Sequence, residues 1–203
     1  MDLSSIPLGP ANMLRILSIL LVLFGGAAAG LYSAKLMLDR NVSGDLVRAG
    51  PWEMRVSESL VAADPYAQAE RARSGAIALA SGEGFTLTAN RDSQGEPLDG
   101  RCVYAIAGAT PAARFWSITL FDEEGRPVAN AARRQSFSST ELTRDTQGGF
   151  NIAVASQAQP GDWLPAPAAG GFVLYLRLYD TPIGAGAALG SEQVPTIVRL
   201  ACA

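Results

Sequence analysis

Seven short stretches between Phe85 and Cys202 alternate apolar with polar or small side chains, and turn signals rather than helices separate them. They cover residues 85–89, 101–107, 114–121, 127–130, 150–155, 172–179 and 196–202. A period of two places successive side chains on opposite faces of an extended chain, so each stretch predicts a strand with one buried face. Asp92-Ser-Gln-Gly95, Asp122-Glu-Glu-Gly125 and Gln147-Gly-Gly149 supply turns between them. Short strands at this spacing close on themselves as an antiparallel sandwich or jelly roll. The expected fold is therefore mainly β, and no internal repeat competes with it.

The N-terminal part differs in kind. Residues 16–34 carry no charge and lie between Arg15 and Lys35. A helix of that length spans about 28 Å, close to the roughly 30 Å of a bilayer's hydrocarbon layer. The rival reading is a cleaved signal peptide, with 16–24 as its apolar stretch and Ala27-Ala28-Ala29 as the small-residue cleavage site. Apolar character continues through Leu31 and Leu36-Met-Leu38, which favours an uncleaved transmembrane helix. Gly26-Ala-Ala-Ala-Gly30 adds a small-xxx-small pattern that permits close helix approach. Residues 1–40 are thus expected to form a membrane anchor.

Residues 41–83 read as a tether, a strand and one short helix. Trp52, Met54 and Val56 alternate with polar neighbours. Asp64-Pro65 supplies an N-cap and first-turn proline for a helix over 66–74, and Gly75 ends it. Residues 84–203 form the β domain.

Chemistry is constrained mostly by exclusion. The chain has no histidine, which removes Ser-His-Asp and Cys-His nucleophile systems and the common zinc sites. No metal or other cofactor is expected. A net charge of −3 and a pI near 5.0 leave no basic field for nucleic acid. On 172–179 one face carries Phe172, Leu174, Leu176 and Leu178, and the other Val173, Tyr175, Arg177 and Tyr179. The second face offers an Arg between two Tyr, either as a binding floor or as a solvent face with Arg177 paired to Asp122 or Asp180. Trp116, Trp163, Tyr175 and Tyr179 are the candidate stacking residues, and Arg133 and Arg177 the candidate charged handles. Trp163, before a proline-braced loop, reads first as a packing plug, with pocket lining as the alternative. A catalytic alternative is a hydrolase or lyase on an envelope glycan or lipid, using Asp122, Asp162 or Asp180 beside Arg177. No catalytic motif supports it, so binding is the favoured role.

Cys102 and Cys202 lie in an early strand and the last one. First and last strands of a sandwich often neighbour each other, which allows a disulfide, and such a bond persists in an oxidising compartment. Two buried thiols are the alternative. The basic residues Lys35, Arg40 and Arg48 follow the apolar run and argue for a cytoplasmic domain. The cysteines argue for a periplasmic one and are given more weight, so the expectation is a single-pass protein of the bacterial inner membrane with its C-terminal domain in the periplasm.

Several motifs together resemble a known family. They are Leu98-Asp-Gly100, Phe115-Trp-Ser-Ile-Thr-Leu-Phe-Asp122, Gly125, Asn130, Gly161-Asp-Trp-Leu-Pro-Ala-Pro167, Arg177-Leu-Tyr179 and Pro195-Thr-Ile197-Val-Arg199. This set is similar to domain-of-unknown-function family 1214, over roughly 50–203. Asp64-Pro-Tyr66, Ala69, Ala72-Arg73 and Gly75 resemble its short, membrane-anchored bacterial members. The resemblance implies a jelly-roll-like envelope domain without an assigned activity. Longer members carry a family 1254 domain in the same chain, which implies a separate family 1254 protein as a partner here, beside a glycan, lipid or envelope protein. Relatives tend to have an acidic residue before the glycine at Gln147-Gly148; here Asp145 lies nearby instead.

Overall fold

The computed structural model describes residues 10–39, 46–55, 83–182 and 189–202. The predicted helix over 66–74 and its cap fall outside them. The chain divides into two units, 1–43 and 44–203.

The first unit contains helix α1, Pro10–Asp39. Leu, Ile, Ala and Gly dominate its whole circumference, and its large apolar side chains are exposed. An all-round apolar helix suits lipid rather than water. Pro10–Met37 is long and apolar enough to cross a membrane, a test that a signal sequence also passes.

Among the described residues the second unit holds ten strands in two sheets. The larger sheet has the order β1-β2-β3-β9-β5-β6 and the smaller β10-β4-β7-β8. The larger is built from β1 (Leu46–Ala49), β2 (Trp52–Arg55), β3 (Gly84–Ala89), β5 (Phe115–Asp122), β6 (Ser136–Ser138) and β9 (Phe172–Tyr179). The smaller contains β4 (Cys102–Gly108), β7 (Phe150–Ala155), β8 (Asp162–Pro165) and β10 (Thr196–Cys202). Leu87, Ile118, Leu174 and Leu176 from one sheet join Tyr104, Ile106, Ile152, Leu164 and Ile197 from the other in a single buried cluster. The domain is therefore a mainly β two-layer structure.

Two features depart from expectation. The stretch 127–130 forms no strand; only Pro127 bridges Phe121. Pro127 lacks an N–H, and the Asn130 side chain instead holds a turn, donating to the carbonyls of Val128 and Arg134 and accepting from Arg134 N. The partner of β5 on that side is β6, with Ile118 opposite Phe137. Second, the smaller sheet is not antiparallel throughout, because β8 runs parallel to β7. Its Pro165 is tolerated because β8 is an edge.

The last strand and the residue before it are fastened at Pro195, Ile197 and Arg199. Trp52, fully buried, donates its indole N–H to the Pro195 carbonyl at 2.7 Å. Ile197 accepts from Ser93 N and donates to Ser93 Oγ. Arg199 donates to the Pro97 carbonyl and pairs with Asp92. The 90–97 loop thereby covers part of the outer edge of β10, a common protection of a sheet margin. A disulfide joins Cys102 to Cys202, which face each other across β4 and β10 with Cα atoms 4.0 Å apart.

Candidate functional site

β9 lies between β3 and β5 in the larger sheet, and its alternation decides what that sheet presents on its outer surface. Phe172, Leu174, Leu176 and Leu178 are buried, whereas Val173, Tyr175, Arg177 and Tyr179 are half-buried on the other face. Tyr175 has Thr88 and Thr119 as cross-strand neighbours, and Arg177 has Thr86 and Ser117. Tyr179 lies between Gly84 and Phe115. Gly84 is required there, since a Cβ would meet the Leu178 carbonyl.

Ring contacts brace this row. Phe121 meets Tyr175 edge-on with centroids 4.9 Å apart, and Phe115 lies 5.7 Å from Tyr179. The Arg177 guanidinium stands 5.8 Å from the Tyr175 ring centre, within cation–π range. Two carboxylates considered for Arg177 are engaged elsewhere: Asp180 lies 3.5 Å from Arg114, and Asp122 is bound by Arg126. Among the described residues Arg177 has no ion pair. The arrangement offers aromatic edges, a row of hydroxyls and one guanidinium.

The remaining sequence candidates lie elsewhere. Trp116 is core, not surface: it shares the inward face of β5 with Ile118 and Leu120, is 3% exposed and packs on Phe150 at 4.9 Å. Its parity on the strand is opposite to Ser117 and Phe115, which decides the matter. Arg133 is exposed in the turn that Asn130 organises, with φ 52°. Trp163 is on β8 in the smaller sheet, part-buried, and donates its indole N–H to the Ala155 carbonyl. Only Tyr175, Arg177 and Tyr179 come together.

The acidic candidates do not form a pair either. Asp122 sits opposite Phe172, at the start of β9, whereas Asp180 follows its end. Eight residue steps of strand separate these levels, about 27 Å, beyond the roughly 5–9.5 Å of a glycosidase carboxylate pair. Asp162 is in the other sheet and accepts from Thr143 N. Asp122 has its carboxyl held below the usual range, first by the backbone N–H of Arg126 and also by its guanidinium. Such a group is a turn residue kept ionised, not a proton donor near neutrality. Among the described residues no three His, Cys, Asp or Glu side chains gather as a metal site.

The motif residues instead organise backbone. Asp99 accepts from Arg101 through both carboxylate oxygens, and its own N–H donates to the Tyr104 hydroxyl. The Arg101 side-chain hydrogen bond is the main reason the Asp99 carboxyl falls from 3.8 to about 2. Gly100 donates to the Gly170 carbonyl, and a Cβ on Gly100 would collide with the Pro167 carbonyl. Leu98-Asp-Gly100 is therefore the seat of the Trp163–Pro167 loop. Asp145 accepts from Gln147 N and Gly149 N, which assigns it to the turn. Sequence reasoning missed the Asp92–Arg199 pair; Asp at a turn start and Arg in a terminal motif were its only signals.

This geometry defines a class: a two-sheet β domain with motif residues that serve its turns and edges. Residues 83–183 match the family described as "Protein of unknown function (DUF1214)", and through this segment the chain belongs to that family. No curated protein matches the chain. It is similar to the crystal structure of the VPA0106 protein from Vibrio parahaemolyticus, with 19% identity and a TM-score of 0.59. That match covers 98% of this chain and 47% of the other, so the chain spans about half the length of the Vibrio protein. The likeness is one of fold. A more distant similarity, to an uncharacterized protein from Burkholderia cenocepacia, has 12% identity, a TM-score of 0.44 and coverage of 58% and 29%.

Proposed function

We propose that this protein is a bacterial envelope protein, anchored in the inner membrane by α1, whose β domain faces the periplasm and acts as a binding module. The observation that carries the binding role is the Tyr175–Arg177–Tyr179 row, half-buried on the sheet surface and bordered by Thr86, Thr88, Ser117 and Thr119. Tyrosine rings stack on sugar faces, hydroxyls exchange hydrogen bonds with them, and a guanidinium that has no carboxylate partner among the described residues takes an anionic substituent. An anionic glycan of the envelope fits that set. The disulfide supports the compartment, because a cytosolic thiol pair is kept reduced. A companion protein of the family 1254 kind remains a second partner for the same compartment.

Two experiments test this reading. A C-terminal alkaline phosphatase fusion is active if the domain is periplasmic and inactive otherwise. Titration of soluble anionic peptidoglycan fragments onto the full-length chain in nanodiscs is expected to give binding that Arg177→Ala weakens about tenfold, the effect of one charge-assisted contact. Binding insensitive to Arg177→Ala, or absent altogether, overturns the role assigned to this face.

A further inference from the structure

Among the described residues, two ring pairs lie on the outer face of the larger sheet, one toward each end of β9. At one level Phe121 meets Tyr175 edge-on, and at the other Phe115 lies beside Tyr179, its cross-strand partner. All four rings share the outward parity of β5 and β9, and Phe115 is 38% exposed. Tyr175 and Tyr179 are four residues apart on one strand, about 13 Å, and Arg177 stands midway. Thr86, Thr88, Ser117 and Thr119 flank that gap from the neighbouring strands. The order along the strand is therefore aromatic, then cationic with hydroxyls, then aromatic. Ring against ring holds each tyrosine in place, so a ligand meets side chains with little rotamer entropy left to lose.

We propose, resting on the anionic-glycan role given to this face, that it reads a linear glycan of about three consecutive rings laid along β9, matched to the span of about 13 Å between its tyrosines. Neutral rings meet Tyr175 and Tyr179, and an acidic ring between them meets Arg177. The span exceeds the width of one sugar ring, so a single ring reaches one tyrosine or the other but not both. A chain that covers both sets its middle ring over Arg177, which has no carboxylate partner among the described residues and takes the charge. An extended peptide fits worse. β9 is already paired with β3 and β5, so its backbone offers no edge to a further strand. A peptide laid on the face would leave its own N–H and C=O groups to side chains alone. A glycan instead brings hydroxyls that pair with the Ser and Thr rows. Phe115 and Phe121 become positioning residues that fix the two ends of the site through the tyrosines they brace.

The test titrates the full-length chain in nanodiscs with peptide-free glycan oligomers cut from peptidoglycan, in which every second sugar carries a lactyl carboxylate. Disaccharide, tetrasaccharide and hexasaccharide are compared. The tetrasaccharide is the first to supply neutral, acidic and neutral rings in a row. It is expected to bind at least fivefold more tightly than the disaccharide, the effect of one more stacked ring, with little further gain for the hexasaccharide. An uncharged tetrasaccharide of N-acetylglucosamine is expected to bind about tenfold more weakly than the acidic one. Tyr175→Ala and Tyr179→Ala each weaken the tetrasaccharide about fivefold, with unchanged far-ultraviolet dichroism verifying the fold. The disaccharide, which reaches one tyrosine, responds to one of these variants far more than to the other. Phe115 is already exposed, so Phe115→Ala reads the Tyr179 end even if Tyr179→Ala fails to fold. Binding that Arg177→Ala weakens, but that is equal for disaccharide and tetrasaccharide, overturns this inference and leaves the glycan site standing. A tetrasaccharide insensitive to either end of the site overturns it as well, as does equal binding of the uncharged one. Absence of binding at every length removes the glycan site itself, and this inference with it.

Discussion

Arg199 on the last strand and Asp92 in the loop before β4 form an ion pair at 3.2 Å across 107 positions of sequence, and Asp92 is 2% exposed. Asp92 Oδ1 accepts the backbone N–H groups of Gln94 and Glu96, so the carboxylate shapes its own loop while holding the strand. The Arg199 guanidinium also lies 5.6 Å from the Tyr104 ring centre, which puts the pair against the core. Arg199→Ala leaves a buried carboxylate without its partner. Its cost is expected to be about 2–4 kcal/mol, the lower part reflecting the partial exposure of Arg199. Urea denaturation measures it, and a double replacement Asp92→Asn/Arg199→Met is expected to recover part of the loss.

The disulfide closes a sequence separation of 100 residues. On the chain-entropy account such a crosslink stabilises by roughly 4–5 kcal/mol, by restricting the unfolded chain. Replacing both Cys102 and Cys202 with Ala should lower the unfolding midpoint accordingly, and non-reducing mass mapping of the wild type should find no free thiol.

Gly100→Ala tests the docking of the Leu98–Gly100 turn beneath the Pro167 loop. A Cβ there meets backbone, which cannot rotate away as a side chain does. A loss of about 1–3 kcal/mol is expected, the usual scale of overpacking. The mobility gained by the 163–167 loop should appear as faster amide exchange at Ala166, whose N–H donates to the Ala155 carbonyl.

Acid titration reads the Asp99–Arg101 contact. The folded-state pKa of Asp99 is depressed from 3.8 to about 2, so the unfolded chain binds its proton first. The contact's contribution is therefore complete above pH 4 and disappears as the pH falls from about 4 to about 2. Carbon-13 detection of the Asp99 carboxyl should give a midpoint near 2, and Arg101→Ala should move it upward.

Trp116 and Trp163 should respond differently to truncation. Trp116→Ala empties a core position and is expected to cost about 3–5 kcal/mol. Trp163→Ala, on a part-exposed edge strand, should cost clearly less by the same denaturation measurement.

Much of this architecture is legible in the residue pattern because alternation is a local property. β9 reads directly from Phe172, Leu174, Leu176 and Leu178, and the inward position of Trp116 follows from its parity with Ile118 and Leu120. β8 is hidden because Pro165 and Pro167 mimic a loop, and the tolerance of Pro165 in the strand depends on β8 being an edge. β6 is only three residues long and carries a single buried phenylalanine, too little for a periodic signal. The stretch 127–130 misleads in the opposite sense, since Val128 and Ala129 read as strand while Pro127 and Asn130 build a turn.

Residue order alone determined the mainly β class, the apolar helix at the front and the turn chemistry, because each rests on neighbours a few positions apart. Which residues meet across the sheets was decided by tertiary structure: the partners of Cys202 and Arg199 lie some 100 residues away. Strand order also determined that Trp163, on β8 of the smaller sheet, lies apart from Tyr175, Arg177 and Tyr179. Pairing between distant strands depends on the register and packing of the whole chain, and no local pattern encodes it.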